Sequence, residues 1–265
     1  KEVFFSKNVA LQLLAEGKKA DLIIGNNVYA HVPDINDFTE GVAVLLKSNG
    51  VVTFEFPHLM ELINKIQFDT IYHEHFSYLS LISIKSIFSK FGLKIFDVDQ
   101  LGTHGGSLRV YGCLQHANHK ISNNVEKILN DEIEAGLMNK DIYENFQIKA
   151  NKIKDTFVQF LLNAKYDKKV VAGYGAAAKG NTLMNYAGIK RDMISFVCDA
   201  AVSKIGKYLP GSHILILVPK VLELNHIDYL IIFPWNISDE IIEQNKALSV
   251  SGTKFVTIIP DLKII

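Results

Sequence analysis

Short apolar runs alternate with amphipathic stretches in the first half of the chain. The apolar runs that predict strands are residues 21–25, 51–56, 93–98 and 107–114. Apolar residues recur with helical spacing at residues 1–17, 37–47 and 82–91, which predicts helices there. Gly92 is suited to end the third of these helices. Helices and strands joined by short connections are typical of an α/β domain.

The last hundred residues restart this alternation after a helical connector at residues 122–165. Predicted strands follow at residues 169–173, 194–198, 213–217, 229–233 and 255–259, with helices at 181–187 and 238–248. We therefore expect two α/β domains, residues 1–115 and residues 116–265, the second including the connector.

The opening helix leads directly into a buried strand. Parallel sheets need neighbouring strands on both sides. We therefore expect the sequence to begin inside a domain whose earlier strands are absent.

Charge and cysteine content exclude several functions. Lys plus Arg and Asp plus Glu each number 28, so the formal net charge is zero and gives no basis for nucleic-acid or anionic-membrane binding. Cys113 and Cys198 stand alone, which argues against a disulfide framework or a CxxC zinc site and favours a reducing, cytoplasmic setting. Apolar stretches such as residues 229–234 fall far short of the roughly 20 residues of a membrane helix.

The densest chemical cluster is Tyr72-His73-Glu74-His75. An imidazole is a base near neutral pH, and a carboxylate or phenol nearby can orient it or stabilise negative charge. A solvated hydrogen-bonded loop is an alternative explanation. Metal binding by His73 and His75 is another, although the spacing lacks the HExxH pattern.

Asn27 and His31 follow the first predicted strand. Ligands of open α/β sheets bind beyond the carboxyl ends of strands, so both residues stand where a ligand is expected. An ordinary loop of turn-forming residues explains the same sequence.

A third motif, GxGxxA, runs from Gly173 through Gly175 to Ala178, with Lys179 next and Asp199 at the end of the following predicted strand. The pattern is typical of a dinucleotide-binding turn, in which small residues admit a phosphate to a helix N-terminus. A tight turn packed without a ligand is the alternative.

A fourth motif contains Gly105, Ser107 and Arg109. It suits an anion or carbonyl site, or equally a bulged strand entry with a surface arginine.

Taken together, these motifs resemble the nucleotide-sugar C-methyltransferase family, over nearly the whole chain. The segments that carry the resemblance are residues 27–34, 68–75, 105–109 and 173–180, with Trp235-Asn236 and Ile259-Pro260 near the end. The resemblance implies a partial class I methyltransferase domain, Rossmann-like, then a helical connector and a second Rossmann-like α/β domain.

The resemblance also implies the activity: S-adenosylmethionine-dependent methylation at C3 of a nucleotide-diphosphate 4-keto-deoxysugar. His75 would be the base, and Tyr72, Glu74 and His31 would position the substrate or stabilise the enolate. Asn27 and His31 would bind the methyl donor. The expected substrate-binding residues are Gly105, Ser107, Arg109, Gly173, Gly175, Lys179 and Asp199.

The chain departs from the family pattern at its start. Family members carry an N-terminal zinc-binding domain and a glycine-rich donor loop, and neither is found here. We expect a fragment with an incomplete donor site, and zinc only in the absent domain. An NAD-dependent oxidoreductase using Gly173 to Asp199, or a noncatalytic nucleotide-sugar-binding module, is the alternative.

Overall fold

The computed structural model describes residues 3–265, so the first two residues of the predicted opening helix lie outside the described part. The chain divides into two compact units that are each discontinuous in sequence. The first comprises residues 1–62 and 73–142, and the second comprises residues 63–72 and 143–265. The structure confirms the predicted α/β class with two sheets.

The first unit contains four strands and the helices around them. Its elements are α1 (Lys7–Ala15), β1 (Ala20–Asn26), α2 (Ile35–Leu45), β2 (Leu46–Pro57), α3 (Leu59–Asn64), α4 (Leu81–Lys90), β3 (Leu93–Leu101), β4 (Ser107–Leu114) and α5 (Asn123–Glu134). The sheet order is β1-β2-β4-β3, with β1 and β2 parallel and β4 antiparallel to both of its neighbours. Because β1 and β2 are parallel, their carboxyl ends lie at the same edge of the sheet.

Aromatic packing forms the centre of the first unit. Tyr29 is fully buried and stacks on Phe54 of β2 with ring centroids 4.3 Å apart. Its hydroxyl bonds Thr39 of α2 at 2.6 Å, and burial raises the pKa of this phenol above its usual range. Strand β2, helix α2 and the loop after β1 are thereby held together.

The second unit contains a six-stranded sheet. Its elements are α6 (Lys140–Tyr166), β5 (Val171–Tyr174), α7 (Ala178–Tyr186), β6 (Val197–Cys198), β7 (Ile216–Leu217), α8 (Val221–Leu224), β8 (Tyr229–Ile232), α9 (Ser238–Gln244), α10 (Ala247–Val250), β9 (Lys254–Thr257) and β10 (Lys263–Ile264). The order is β10-β9-β8-β5-β6-β7, parallel except at β10. Phe157 and Leu161 of α6 are fully buried in its core.

Two elements differ from the predicted division at residue 115. Helix α5 packs in the first unit, where Val125 and Ile128 join the core of β3 and β4. Residues 63–72 belong to the second unit, where Phe68 joins the core of α6 and α7. The hydrophobic pattern of an amphipathic segment predicts that it is a helix, but it does not predict which of two sheets the helix packs against. Within residues 3–265, no helix has the length and apolar character needed to cross a membrane.

Candidate functional site

His31 stands directly beyond the carboxyl end of β1. It ends the short 3-10 turn Tyr29–His31, which the buried ring of Tyr29 anchors to the core. His31 Nδ1 lies 2.6 Å from the backbone oxygen of Glu74. A carbonyl oxygen only accepts, so Nδ1 donates, and in the neutral ring Nε2 carries the lone pair.

The structure brings His75 to His31. Their ring centroids are 4.8 Å apart with the planes tilted by 55°. The backbone N–H groups of Phe76 and Ser77 both donate to the Ala30 carbonyl, at 2.9 and 3.2 Å. Two residues 44 positions apart are therefore held beside each other by two backbone hydrogen bonds to the Ala30 carbonyl and by the bond from the His31 ring to the Glu74 carbonyl.

The other members of the Tyr-His-Glu-His motif have different surroundings. His73 and Glu74 are exposed, and Glu74 contributes its carbonyl to His31. Tyr72 is half-buried and belongs to the segment 63–72 of the second unit. Across residues 3–265 no group of three or more His, Cys, Asp or Glu side chains is arranged to hold a metal ion.

Asn27 lies at the same edge of the first sheet. Its backbone is left-handed, with φ of 53°, and its N–H donates to the Glu55 carbonyl at 2.8 Å. Its side-chain nitrogen lies 3.3 Å from His104 Nε2, and His104 is also left-handed, with φ of 55°. The sequence pattern does not indicate this pair, since the partners are 77 positions apart.

The Gly105 to Arg109 motif starts β4 and is anchored internally. Ser107 is buried and its hydroxyl donates to the Thr103 carbonyl at 3.1 Å. Arg109 donates to Glu55 Oε2 at 2.7 Å, which raises the pKa of the guanidinium. Gly105 has φ of 92°, a conformation that favours glycine. Glu55, a buried carboxylate, is a partner that the sequence pattern did not indicate.

In the second unit, the glycines of GxGxxA fit closely against residues that follow β8. A Cβ on Gly173 would come within 2.6 Å of the Phe233 ring, and one on Gly180 within 2.6 Å of the same ring. A Cβ on Gly175 would lie 2.5 Å from Pro234, and its φ is 93°. Packing alone thus requires small residues at these positions.

Lys179 is in the first turn of α7. Its ammonium lies 4.2 Å from the centroid of the Trp235 ring and 2.7 Å from Asn236 Oδ1. Burial lowers the pKa of this ammonium. Trp235 Nε1 donates to Asp69 Oδ2 at 2.7 Å, and burial raises the pKa of that carboxyl to about 6. Asp69 lies in the segment 68–75 that carries the family resemblance, but the sequence pattern assigns it no role.

Asp199 directly follows β6, at the place beyond a strand that the sequence predicts. Its carboxylate accepts from the Ala201 N–H at 2.8 Å and from Lys204 at 2.9 Å. An acid at this place in a dinucleotide site binds ribose hydroxyls. In this chain both of its oxygens have protein partners.

A deeply buried ionisable pair, which the sequence pattern does not indicate, lies in the first unit. His58 and Glu132 are at most 1% exposed and bond at 2.8 Å. Glu132 also accepts the first N–H groups of α4, from Leu81 at 2.5 Å and Ile82 at 2.9 Å. This carboxylate caps a helix from a neighbouring helix, so its role is structural.

Two family models match this chain. Residues 102–260 match the C-methyltransferase C-terminal domain, which is more than half of the chain, and residues 2–98 match a methyltransferase domain. C-methyltransferase NovU of Streptomyces niveus is 35% identical over 261 residues, which are 98% of this chain and 62% of NovU. The chain thus spans less than two thirds of that relative.

Solved structures give weaker similarities. The M1.HpyAVI–SAM complex covers 43% of this chain and 54% of its own, at 12% identity and a TM-score of 0.29. Magnesium protoporphyrin IX methyltransferase (ChlM) from Synechocystis PCC 6803 with bound SAH covers 36% of this chain and 45% of its own, at 17% identity and the same TM-score.

Proposed function

Because this chain belongs to the family defined by the C-methyltransferase C-terminal domain, we propose that it serves S-adenosylmethionine-dependent C-methylation at C3 of a nucleotide-linked 4-keto-deoxysugar. The observation that carries this proposal is the pair of imidazoles, His31 and His75, 4.8 Å apart beyond the carboxyl end of β1. A base beside a ligand-binding sheet edge is what removal of a carbon-bound proton requires.

S-adenosylmethionine, when bound, supplies an electrophilic methyl group on a sulfonium. The residues at the edge of the first sheet fit such a ligand, because the Asn27 amide can donate to a hydroxyl or carboxylate oxygen and Nε2 of His31 can accept from a hydroxyl. We assign donor contacts to these two residues.

His75 acts as the base. A C–H bond beside a carbonyl is acidic, so its proton passes to the His75 imidazole while the electron pair delocalises onto the C4 oxygen as an enolate. Fixing the base and the substrate in one geometry lowers the barrier further.

His31, Tyr72 and Glu74 bind the developing enolate or orient the sugar. Preorganised polar groups at such an oxygen stabilise the transition state by about 3 kcal/mol each. Nδ1 of His31 donates to the Glu74 carbonyl, so the neutral ring can orient the sugar by accepting from a hydroxyl at Nε2, and it can stabilise the enolate oxygen only when Nε2 also holds a proton.

The remaining contacts are assigned to the two glycine-containing motifs. We assign sugar contacts to Gly105, Ser107 and Arg109. In the second unit we assign the diphosphate and nucleoside to four residues, namely Gly173, Gly175, Lys179 and Asp199. Cys113 and Cys198 are free buried thiols, which suits the cytoplasm as the location.

The test uses the complete protein with a panel of nucleotide-linked sugars in matched 4-keto and 4-hydroxy forms. We expect deuterium uptake from heavy water at C3 of a 4-keto sugar without methyl donor, and methylation at C3 once S-adenosylmethionine is added. The 4-hydroxy sugars should do neither, because they form no enolate. Methylation at an oxygen, or equal reaction of both forms, would contradict the proposal.

A further inference from the structure

The order in which successive strands are added to the second sheet reverses at its centre, between β5 and β8. From β5 the chain proceeds outward through β6 and β7, then returns to β8 on the other side of β5 and proceeds outward through β9. Open α/β sheets bind ligands in the crevice at such a switch point, beyond the carboxyl ends of the two central strands. Here the loop after β5 leads to Lys179, and the loop after β8 leads to Trp235 and Asn236.

Helix α7 begins at this point without a side-chain cap. Its N-cap residue, Ala177, makes no side-chain hydrogen bond, and Ala178 in the first turn is exposed. Uncapped N–H groups at a helix start attract anions, and a lysine in the same turn strengthens the attraction. The helix has nine residues, which is long enough to present a developed dipole at this end.

Lys179 is held in place by aromatic and amide contacts. The ammonium lies over the Trp235 ring at 4.2 Å and bonds Asn236 Oδ1 at 2.7 Å. A cation over an indole face is stabilised by about 0.5–2 kcal/mol, depending on its desolvation. The long side chain therefore loses most of its freedom before any ligand arrives.

Trp235 is in turn held by a buried carboxyl. Asp69 is 1% exposed, and its Oδ2 accepts from the indole N–H at 2.7 Å. Among the described residues its other oxygen, Oδ1, is buried without a hydrogen-bond partner. A buried polar atom left unsatisfied is costly and points to a functional constraint.

A second contact ties the Asp69 segment to the same helix. The rings of Phe68 and Tyr186 are 5.3 Å apart, and Tyr186 is the last residue of α7. Asp69, Trp235 and α7 thus form a closed set of contacts within the second unit. A negative charge on Asp69 repels an anion bound near Lys179. Asp69 can therefore support anion binding only through its hydrogen bond to the indole.

We propose that Trp235 is a positioning residue of a diphosphate-binding site: Asp69 fixes the indole, and the indole holds the Lys179 ammonium beside the first turn of α7. The site takes two linked phosphates. That the diphosphate belongs to a nucleotide-linked sugar rests on the function proposed above, whereas the anion site itself does not.

Binding of inorganic pyrophosphate and of uridine diphosphate to the complete protein tests the site by calorimetry. Trp235 is the single tryptophan of these 265 residues, and the part of the emission change that is absent from Trp235→Leu is a second readout of ligand binding. We expect both probes to bind and to change this emission. Lys179→Met should weaken binding of both about tenfold or more, because a charge-assisted contact is lost.

Variants at the two supporting residues separate positioning from charge. Trp235→Leu and Asp69→Ala should each weaken pyrophosphate binding about fivefold, because the ammonium is no longer held. Asp69→Asn keeps an oxygen that accepts from the indole and removes the opposing charge, so it should bind pyrophosphate at least as tightly as the wild type. Lys165→Met is the matched control, an exposed lysine paired with Asp192, and should not change binding.

Several results would overturn the proposal: no binding of pyrophosphate to the wild type, equal binding by Lys179→Met, or equal weakening by Asp69→Asn and Asp69→Ala. If Asp69→Ala fails to fold, the comparison of Trp235→Leu with Asp69→Asn decides. Methyl transfer is measured separately. A protein that binds pyrophosphate through Lys179 but methylates no sugar retains the anion site and refutes the function proposed above.

Discussion

The His31 imidazole donates its Nδ1 proton to the backbone carbonyl of Glu74, one residue before His75. The hydrogen bond sets the tautomer of one histidine through the main chain that carries the other. It places the two rings at a centroid distance of 4.8 Å without using the Glu74 side chain. The Glu74 side chain takes no part in this hydrogen bond, so its carboxylate can still contact a substrate.

His75→Asn should abolish deuterium exchange at C3 and lower methyl transfer about 100-fold or more, the usual contribution of a general base. S-adenosylmethionine binding should be retained, since Asn27 and His31 are unchanged. His73→Asn, an exposed neighbour, is the control and should stay within about threefold of the wild type. Exchange at the wild-type rate in His75→Asn would remove His75 from the role of base.

Glu132→Gln should destabilise the first unit by about 3 kcal/mol. The carboxylate accepts from His58, Leu81 and Ile82, and an amide would turn a donor towards N–H groups in a buried site. Urea unfolding measures the loss. The exposed Glu134→Gln on the same helix should change stability by less than about 0.5 kcal/mol. Matching unfolding midpoints for the two variants would show that the buried network contributes little.

Asp69→Asn should change how stability depends on pH. Burial raises the pKa of Asp69 from 3.8 to about 6 in the folded chain, so the folded state binds the proton more tightly than the unfolded state. Its contribution is fully present below pH 4 and is lost as pH rises through about 6, by up to about 3 kcal/mol.

Chemical denaturation of wild type and Asp69→Asn at pH 4, 5 and 7 checks this sign. The stability difference, wild type minus variant, should fall as pH rises, because asparagine does not titrate. A difference that grows with pH would mean that the folded pKa of Asp69 lies below 3.8.

Gly180→Ala should destabilise the second unit, although alanine is ordinarily favoured over glycine inside a helix by about 1 kcal/mol. The new Cβ would lie 2.6 Å from the Phe233 ring, and overpacking costs about 1–3 kcal/mol. Combining Gly180→Ala with Phe233→Leu should recover part of the loss in a double-mutant cycle. Strict additivity of the two changes would show that the ring is not the obstacle.

Hydrophobic pattern predicted most of the regular structure, because burial against a sheet imposes its period on each segment. The strand β4 and the helix α4 lie close to their predicted limits, whereas β2 begins at Leu46, five residues before the predicted strand at 51–56. Predicted strands at 194–198 and 213–217 shrink to Val197–Cys198 and Ile216–Leu217. The apolar pattern extends over most of both predicted segments. A strand, however, is only as long as its hydrogen-bonded pairing with a neighbouring backbone, and the local sequence does not specify that pairing.

The sequence predicted the candidate site residues better than it predicted the groups that contact them. His31, His75 and Lys179 stand out by residue type and position beside a strand. Their partners, the carbonyls of Ala30 and Glu74 and the side chains of Trp235 and Asp69, are chosen by tertiary contacts between distant segments. Asn27 and His104 show the same limit, since only the folded loops bring them to 3.3 Å.

The excursion of residues 63–72 into the second unit has a consequence for synthesis of the chain. Asp69 and Trp235 are 166 positions apart, so at roughly 5–20 residues per second the ribosome takes about 10–30 s to deliver the partner. Phe68 and Asp69 spend that interval without their final surroundings. All residues of the first unit are synthesised by residue 142, so the segment 63–72 is the part of the first third of the chain that waits for the last third.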